Sequence, residues 1–270
     1  MKRYIAGLVG AVILASAAAT PAQAAAPADP VKALKSQMAV GKGVKFTDVM
    51  SFVELAGKTA FLRRTGVMQY GKPVKGGMGD ILAADINADY TQHNGPVFKT
   101  IGISLADEHT ISIGKISYVK GEMPKPLPKG KSWLKVRAPM PGGSSSIYCQ
   151  QPNPAEPATL QALIKGGQKT GRTYKGSISK ARLWQVSPWY RAASLLKDND
   201  GALDYELTLG PDNLPQRLLT TFPATEILGV TLAGDDVFTI ETRFTGWGSK
   251  IRVTPPPAGQ VYSPKKRSDD

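Results

Sequence analysis

The chain predicts an α+β fold: a strongly curved antiparallel β-sheet, a half-barrel, with a few helices covering its concave face. Three observations point there. Apolar residues recur with period two over long stretches, short Gly- and Pro-containing turns join those stretches, and short segments of helical spacing follow a capping residue plus proline. Strands joined by short turns are antiparallel, a sheet of many strands twists and curls, and helices must bury its apolar side.

The chain opens with Met1-Lys2-Arg3-Tyr4, an apolar run from Ile5 to Ala19, and the small-residue stretch Ala22-Gln23-Ala24. A positive start, an apolar segment and an A-x-A site predict a cleaved export signal over 1–24. The run is too short to span a bilayer, and Pro21 and Pro27 keep a helix from extending beyond it. No cysteine stands where a lipoprotein signal would place one, so the protein is expected outside the cytoplasm, in the secreted or envelope fraction, without a lipid anchor.

A single domain is expected over 27–257. Asp29-Pro30 starts a helix carrying Val31, Leu34 and Met38. From Phe46 to Trp133 the period becomes two. Leu82, Ala84, Ile86, Ala88 and Tyr90 alternate with Asp85, Asn87 and Asp89, and Ile101, Ile103 and Leu105 alternate with polar residues. Tyr70-Gly71-Lys72-Pro73, Gly76-Gly77 and Gly114-Lys115 read as turns. The stretch Pro139 to Ser146 reads as a flexible linker. Asn153-Pro154 predicts the start of a second helix with Leu160, Leu163 and Ile164, and Ser187-Pro188 a third with Trp189, Ala192, Ala193 and Leu196. Strands resume at 204–209, 238–244 and 250–253. Pro255-Pro256-Pro257 ends the fold, because prolines cannot donate to a ladder, and 258–270 form a flexible charged tail.

The formal charge is +13, or +11 once Lys2 and Arg3 leave with the signal. That sign favours an anionic membrane surface or an envelope polymer. Nucleic acid is not expected as a partner, since it is not the usual partner outside the cell and the sequence carries no aromatic-basic recognition motif. Lys129, Lys131, Lys135 and Arg137 share alternate positions with Trp133, which predicts a basic strand face. The same spacing equally describes an ordinary solvated face.

No catalytic or metal-binding constellation is present, and neither an enzyme nor a cofactor is expected. His93 and His109 are the only histidines and read as surface residues. Ser144, Ser145 and Ser146 lack the G-x-S-x-G elbow of a serine hydrolase. In Asp198-Asn199-Asp200-Gly201, setting the glycine sixth in a calcium loop puts Leu196 first and Leu207 last, where acids are required. Cys149, the single cysteine, cannot form an internal disulfide and reads as a small buried hydrophobe.

Several stretches, taken in order, resemble the LppX/LprG-type actinobacterial lipoproteins, part of the wider LolA-like lipid carriers. They are Thr65 to Tyr70, Ile116 to Val119, Lys131 to Val136, Asn153-Pro154 with Leu160 to Ile164, Thr173 to Ile178, Leu214 to Arg217, and Phe244 to Gly248 leading into Val253 to Pro256. The resemblance implies a LolA-like fold that binds or shuttles acyl chains of a lipid or lipoglycan, here without the anchoring cysteine. Each buried methylene would contribute about 0.8 kcal/mol, so the pocket needs no special residues. The expected lining is Leu82, Ile86, Ile101, Ile103, Tyr118, Leu134, Leu160, Leu163, Ile164, Phe238 and Ile240. The alternative is a non-catalytic envelope module with a fully packed sheet, holding an anionic polymer or partner protein on its basic surface.

Overall fold

The structure, a computed structural model, describes residues 29–54, 57–90, 106–121, 125–148, 150–194, 200–223 and 237–264. The expected signal segment, His93, Ile101, Ile103, Cys149 and Leu196 lie outside them.

Twelve strands form one open sheet in the order β12-β6-β5-β4-β3-β2-β1-β11-β10-β9-β8-β7. β1 (Lys42–Glu54) sits at the middle, with β2 (Gly57–Tyr70), β3 (Ile81–Asp89), β4 (Glu108–Ile113), β5 (Ile116–Lys120) and β6 (Trp133–Val136) running outward on one side. On the other side β11 (Val237–Lys250) pairs with β1, followed by β10 (Pro215–Pro223), β9 (Ala202–Leu209), β8 (Thr173–Ser179) and β7 (Gln168–Thr170). Every pairing is antiparallel except that of β12 (Val261–Tyr262) with β6. The two halves of the chain pair over their longest stretch at the centre of the sheet, where Met50 faces Ile240 and Phe52 faces Phe238, and again at the flank where β12 meets β6.

Period-two alternation fixes which residues point inward. Val44, Phe46, Met50 and Phe52 on β1 share the inner face with Met68 and Leu62 on β2, Ile86 on β3, and Phe238, Ile240 and Phe244 on β11. Gly66 lies opposite Phe46, and a Cβ there would sit 2.8 Å from its ring, so the aromatic occupies the space a side chain would take. The outer face carries a row of ion pairs across four strands. Lys175 meets Glu206 at 2.8 Å, Arg217 bridges Glu206 at 3.1 Å and Glu241 at 2.9 Å, and Arg243 meets Glu241 at 2.6 Å.

Among the described residues four short helices cover the inner face: α1 (Pro30–Gln37), α2 (Pro157–Gly166), α3 (Lys180–Val186) and α4 (Pro188–Ala193). Leu34, Leu160, Leu163 and Leu183 are completely buried in a core shared with the sheet. The Asp29 carboxylate caps α1 through the backbone N–H groups of Val31 and Lys32. Ser187 caps α4 as its sequence implies, with Pro188 in the first turn.

Several sequence expectations change. α2 starts at Pro157 rather than after Asn153-Pro154, because Asn153 Oδ1 accepts from Ala155 N (3.1 Å) and turns the chain first. The Pro139 to Ser146 stretch is no linker. It enters a 3-10 turn (Gly143–Tyr148) held by Glu108, whose carboxylate accepts from Ser144 N (3.2 Å) and Ser144 Oγ (2.5 Å). Ser117 Oγ holds the approach, accepting from Met140 N and donating to Ala138 O. No strand continues through 250–253: Ile251 N bonds Gly41 O, and Val253 N bonds the Gln69 side chain, so neither amide is left for a ladder. Beyond the three prolines the chain returns to the sheet as β12, tied down by Ser132 N to Gln260 O (2.9 Å) and Lys131 Nζ to Gly259 O (2.8 Å).

Candidate ligand-binding site

Among the described residues an inner and an outer opening adjoin the helix layer. The inner one is a gap of about 10 Å³ between sheet and helices, bounded by Phe46, Met68 and Phe244 below, Trp189 and Asn153 above, and a buried ion pair at its side. That volume accommodates about one water molecule. The ion pair joins cross-strand neighbours Asp48 and Arg64, which are 3% and 2% exposed. Arg64 Nε donates to Asp48 Oδ1 at 3.0 Å and Nη2 to Oδ2 at 2.5 Å, a bidentate geometry. Thr242 lies opposite Asp48 on β11, and on β10 the Thr220 hydroxyl donates to Gln150 Oε1 at 3.1 Å. A polar row thus crosses the otherwise apolar inner face.

The outer opening is a groove of about 380 Å³. α1 contributes Val31 and Lys35, the connection before β3 contributes Gly79 and Asp80, and α2 contributes Pro157, Ala158 and Gln161 with Glu156 at its start. Val186 and Pro188, at the junction of α3 and α4, complete the wall. The volume falls in the range of small-molecule pockets.

Glu156 fastens the helices around this groove. Its carboxylate accepts from Trp189 N (2.8 Å), Thr159 Oγ1 (2.9 Å) and Ser187 Oγ, tying the start of α4 to the start of α2. Burial pushes its carboxyl up to about 7, although those three donors favour the ionised form. Two tyrosines fix α2 to the sheet: Tyr205 Oη donates to Leu163 O (2.6 Å) at its end, and Tyr70 Oη to Ala155 O (3.2 Å) ahead of its start. Burial raises the pKa of both phenols, so both remain neutral donors.

Of the residues expected to line a cavity, Ile86, Leu160, Leu163, Phe238 and Ile240 belong to the continuous core, and Ile164 packs against it. Leu82 is half-buried against Gly71. Leu134 is half-buried opposite Val119. Tyr118 is on the other face of the sheet, because the register aligns Ile86, Thr110 and Val119 while Tyr118 pairs with Ile111. The basic strand face also changes: β6 spans only Trp133–Val136, so Lys129 and Lys131 lie in the turn before it and Arg137 beyond it. Lys135 is paired with Tyr118, while Trp133 is 6% exposed with its ring 4.8 Å from that of His109. His109 is itself bound to Asp85 at 2.6 Å on the outer face.

The residues that close the helix layer, Glu156 and Ser187, carried no sequence signal beyond the Ser-Pro cap, and Asp48 and Arg64 carried none beyond being charges at inward positions. Chemically, the groove offers apolar walls with carboxyl, amide and ammonium groups at their edge. The Ser144 hydroxyl faces Glu108 rather than a histidine, and the Ser145 hydroxyl donates to Gly142 O (2.5 Å).

The fold and grooves define an open antiparallel sheet protein with a helical cover. No family model matches the chain, and no curated protein is similar to it. Among solved structures, a LolA superfamily protein from Nitrosomonas europaea is similar at 7% identity, over 83% of this chain and 94% of that one, with a TM-score of 0.30. A likeness that slight carries no argument about ligand or activity.

Proposed function

We propose that the protein is a non-enzymatic exported carrier that takes the acyl chain of a lipid or lipoglycan on the helix-covered side of its sheet. The groove between α1, α2 and the α3–α4 junction is the mouth, and the sheet curves as a half-barrel around the cargo. The observation that carries the reading is the groove itself: about 380 Å³, walled by Val31, Pro157, Ala158, Val186 and Pro188, and opening beside the helices that roof the apolar inner face. Loading then requires the helices to lift, since the gap beneath them holds only about 10 Å³. The bonds that must yield are those from Glu156 to α4 and from Tyr70 and Tyr205 to the α2 region.

The test is organic extraction of protein purified from its native host, followed by mass spectrometry. A stoichiometric lipid is the expected result, and Ala158→Trp, which fills the groove wall, is expected to reduce the recovered lipid at least several-fold while the protein stays folded. Protein that is empty and takes up no fluorescent fatty acid overturns the reading.

The closed interior favours one second reading, a packed-sheet envelope module that holds an anionic polymer or a partner protein on its surface. Lipid-free protein whose polymer binding weakens steeply with salt would establish it.

A further inference from the structure

The sheet register gathers one set of turns along a single rim. Lys250 pairs with Lys42, and next to them Gly43 pairs with Gln69, Gln69 with Ala83, Ala83 with Ile113 and Ile113 with Ile116. The α1–β1 turn, the β2–β3 connection, the β4–β5 turn and the end of β11 therefore project from the same side. Their residues include six exposed cations, Lys42, Lys72, Lys75, Lys115, Lys250 and Arg252, against one acid, Asp80. None of the six forms an ion pair among the described residues. At the opposite rim the described charges are mixed, with Lys58, Arg63 and Lys120 near Asp89, Asp107 and Glu108.

The same rim carries both of the large apolar side chains that are exposed among the described residues, Val40 at 70% and Val74 at 39%. Each sits at a tip. Val40 precedes Gly41, whose N–H bonds Tyr70 O and whose carbonyl accepts from Ile251 N. Val74 flanks Gly114, and the Lys115 side chain lies against Gly76, so two turns form one projection.

We propose that this rim is a docking surface for an anionic lipid bilayer, with Val40 and Val74 entering between headgroups and the cations around them meeting lipid phosphates. Juxtamembrane lysines and arginines are attracted by an anionic leaflet, and apolar tips add binding only where an acyl boundary lies behind the charge. A soluble polyanion has no such boundary, and the exposed valines favour the membrane. The inference is independent of the carrier reading: an empty protein docks in the same way.

Vesicle co-sedimentation tests it, using the chain from Ala25, which retains every residue the structure describes. Binding to phosphatidylcholine vesicles containing phosphatidylglycerol is expected, with little to phosphatidylcholine alone, and raised salt should weaken it. Reversing Lys72, Lys75 and Lys115 to Glu should lower binding by well over about 100-fold. The neutral set Lys72→Gln, Lys75→Gln and Lys115→Gln should lower it less, and serves if the reversed set fails to fold. Val40→Ser with Val74→Ser, which removes the apolar tips without changing charge, should reduce vesicle binding while leaving binding to dextran sulfate intact. The control Lys58→Glu, Lys120→Glu and Lys129→Glu changes net charge equally on the other side and should retain most binding. Absence of binding to the anionic vesicles overturns the proposal. So does an equal loss in the control, or valine variants that bind vesicles like the parent, the last marking polyanion-type attraction without a membrane.

Discussion

Arg64 and Asp48 are charges buried where alternation demands apolar side chains, and their geometry compensates only if both are present. Removing one partner leaves an uncompensated buried charge, so Arg64→Met or Asp48→Leu alone should destabilise by about 3–5 kcal/mol, while the double variant recovers most of that. Urea denaturation of the three variants checks it; additive losses would mean the pair is not coupled. Glu156 gives a pH signature. Its folded-state pKa, about 7, is above the ordinary 4.5, so its stabilising effect is complete below 4.5 and is lost as pH rises toward 7. Denaturation across that window should show the parent losing stability on the order of 3 kcal/mol relative to Glu156→Gln, whose curve lacks this component. Glu206 and Glu241 are held below their ordinary value by Lys175 and Arg217, so their contributions are complete above 4.5 and fall only at lower pH, outside the window. None of these roles was legible in the sequence. An acid or an arginine at an inward position reads only as a blemish in a strand until its cross-strand partner is known.

At the scale of elements, β3, β9 and β11 were legible because they alternate cleanly, and α4 because Ser187-Pro188 supplies both a cap and a first-turn proline, whereas β7, β8, β10 and β12 were not assigned as strands from the sequence. α3 was not, being seven residues with a polar start at Lys180-Ala181-Arg182. The 3-10 turn was hidden for a different reason: glycine and serine compose linkers and buried turns alike, and Glu108, 36 residues earlier, decides which. The way α2 is mounted makes two further tests. Leu163→Ala removes a fully buried side chain and should cost about 2–5 kcal/mol. Tyr205→Phe deletes the hydroxyl that holds Leu163 O and should cost about 1–3 kcal/mol, the carbonyl being left without that donor. Thermal unfolding of both variants measures these, and a Tyr205→Phe protein as stable as its parent would show that the hydroxyl contributes nothing to the mounting of α2. Gly66→Ala crowds the Phe46 ring and should cost about 1–3 kcal/mol.

For the whole molecule, the long-range β1–β11 pairing joins residues 42–53 to 237–250, and no turn signal in either strand announces it. Separated from the other, each half would leave one long strand, β1 or β11, without its partner. Expressed separately, residues 29–136 and 150–264 should each lack a cooperative urea transition, followed by Trp133 in one and by Trp184, Trp189 and Trp247 in the other; a cooperative transition in either fragment would show that the halves are separate folding units. The groove is equally a product of assembly, since its walls come from α1, the approach to β3, α2 and the α3–α4 junction, segments far apart in the chain. The flanks of the sheet have a separate effect. Their terminal ribbons, β7 and β12, are three and two residues long. So brief a stretch of unpaired backbone gives a second molecule almost nothing to template on, and a chain this rich in β-structure is thereby protected from stacking into fibrils when crowded.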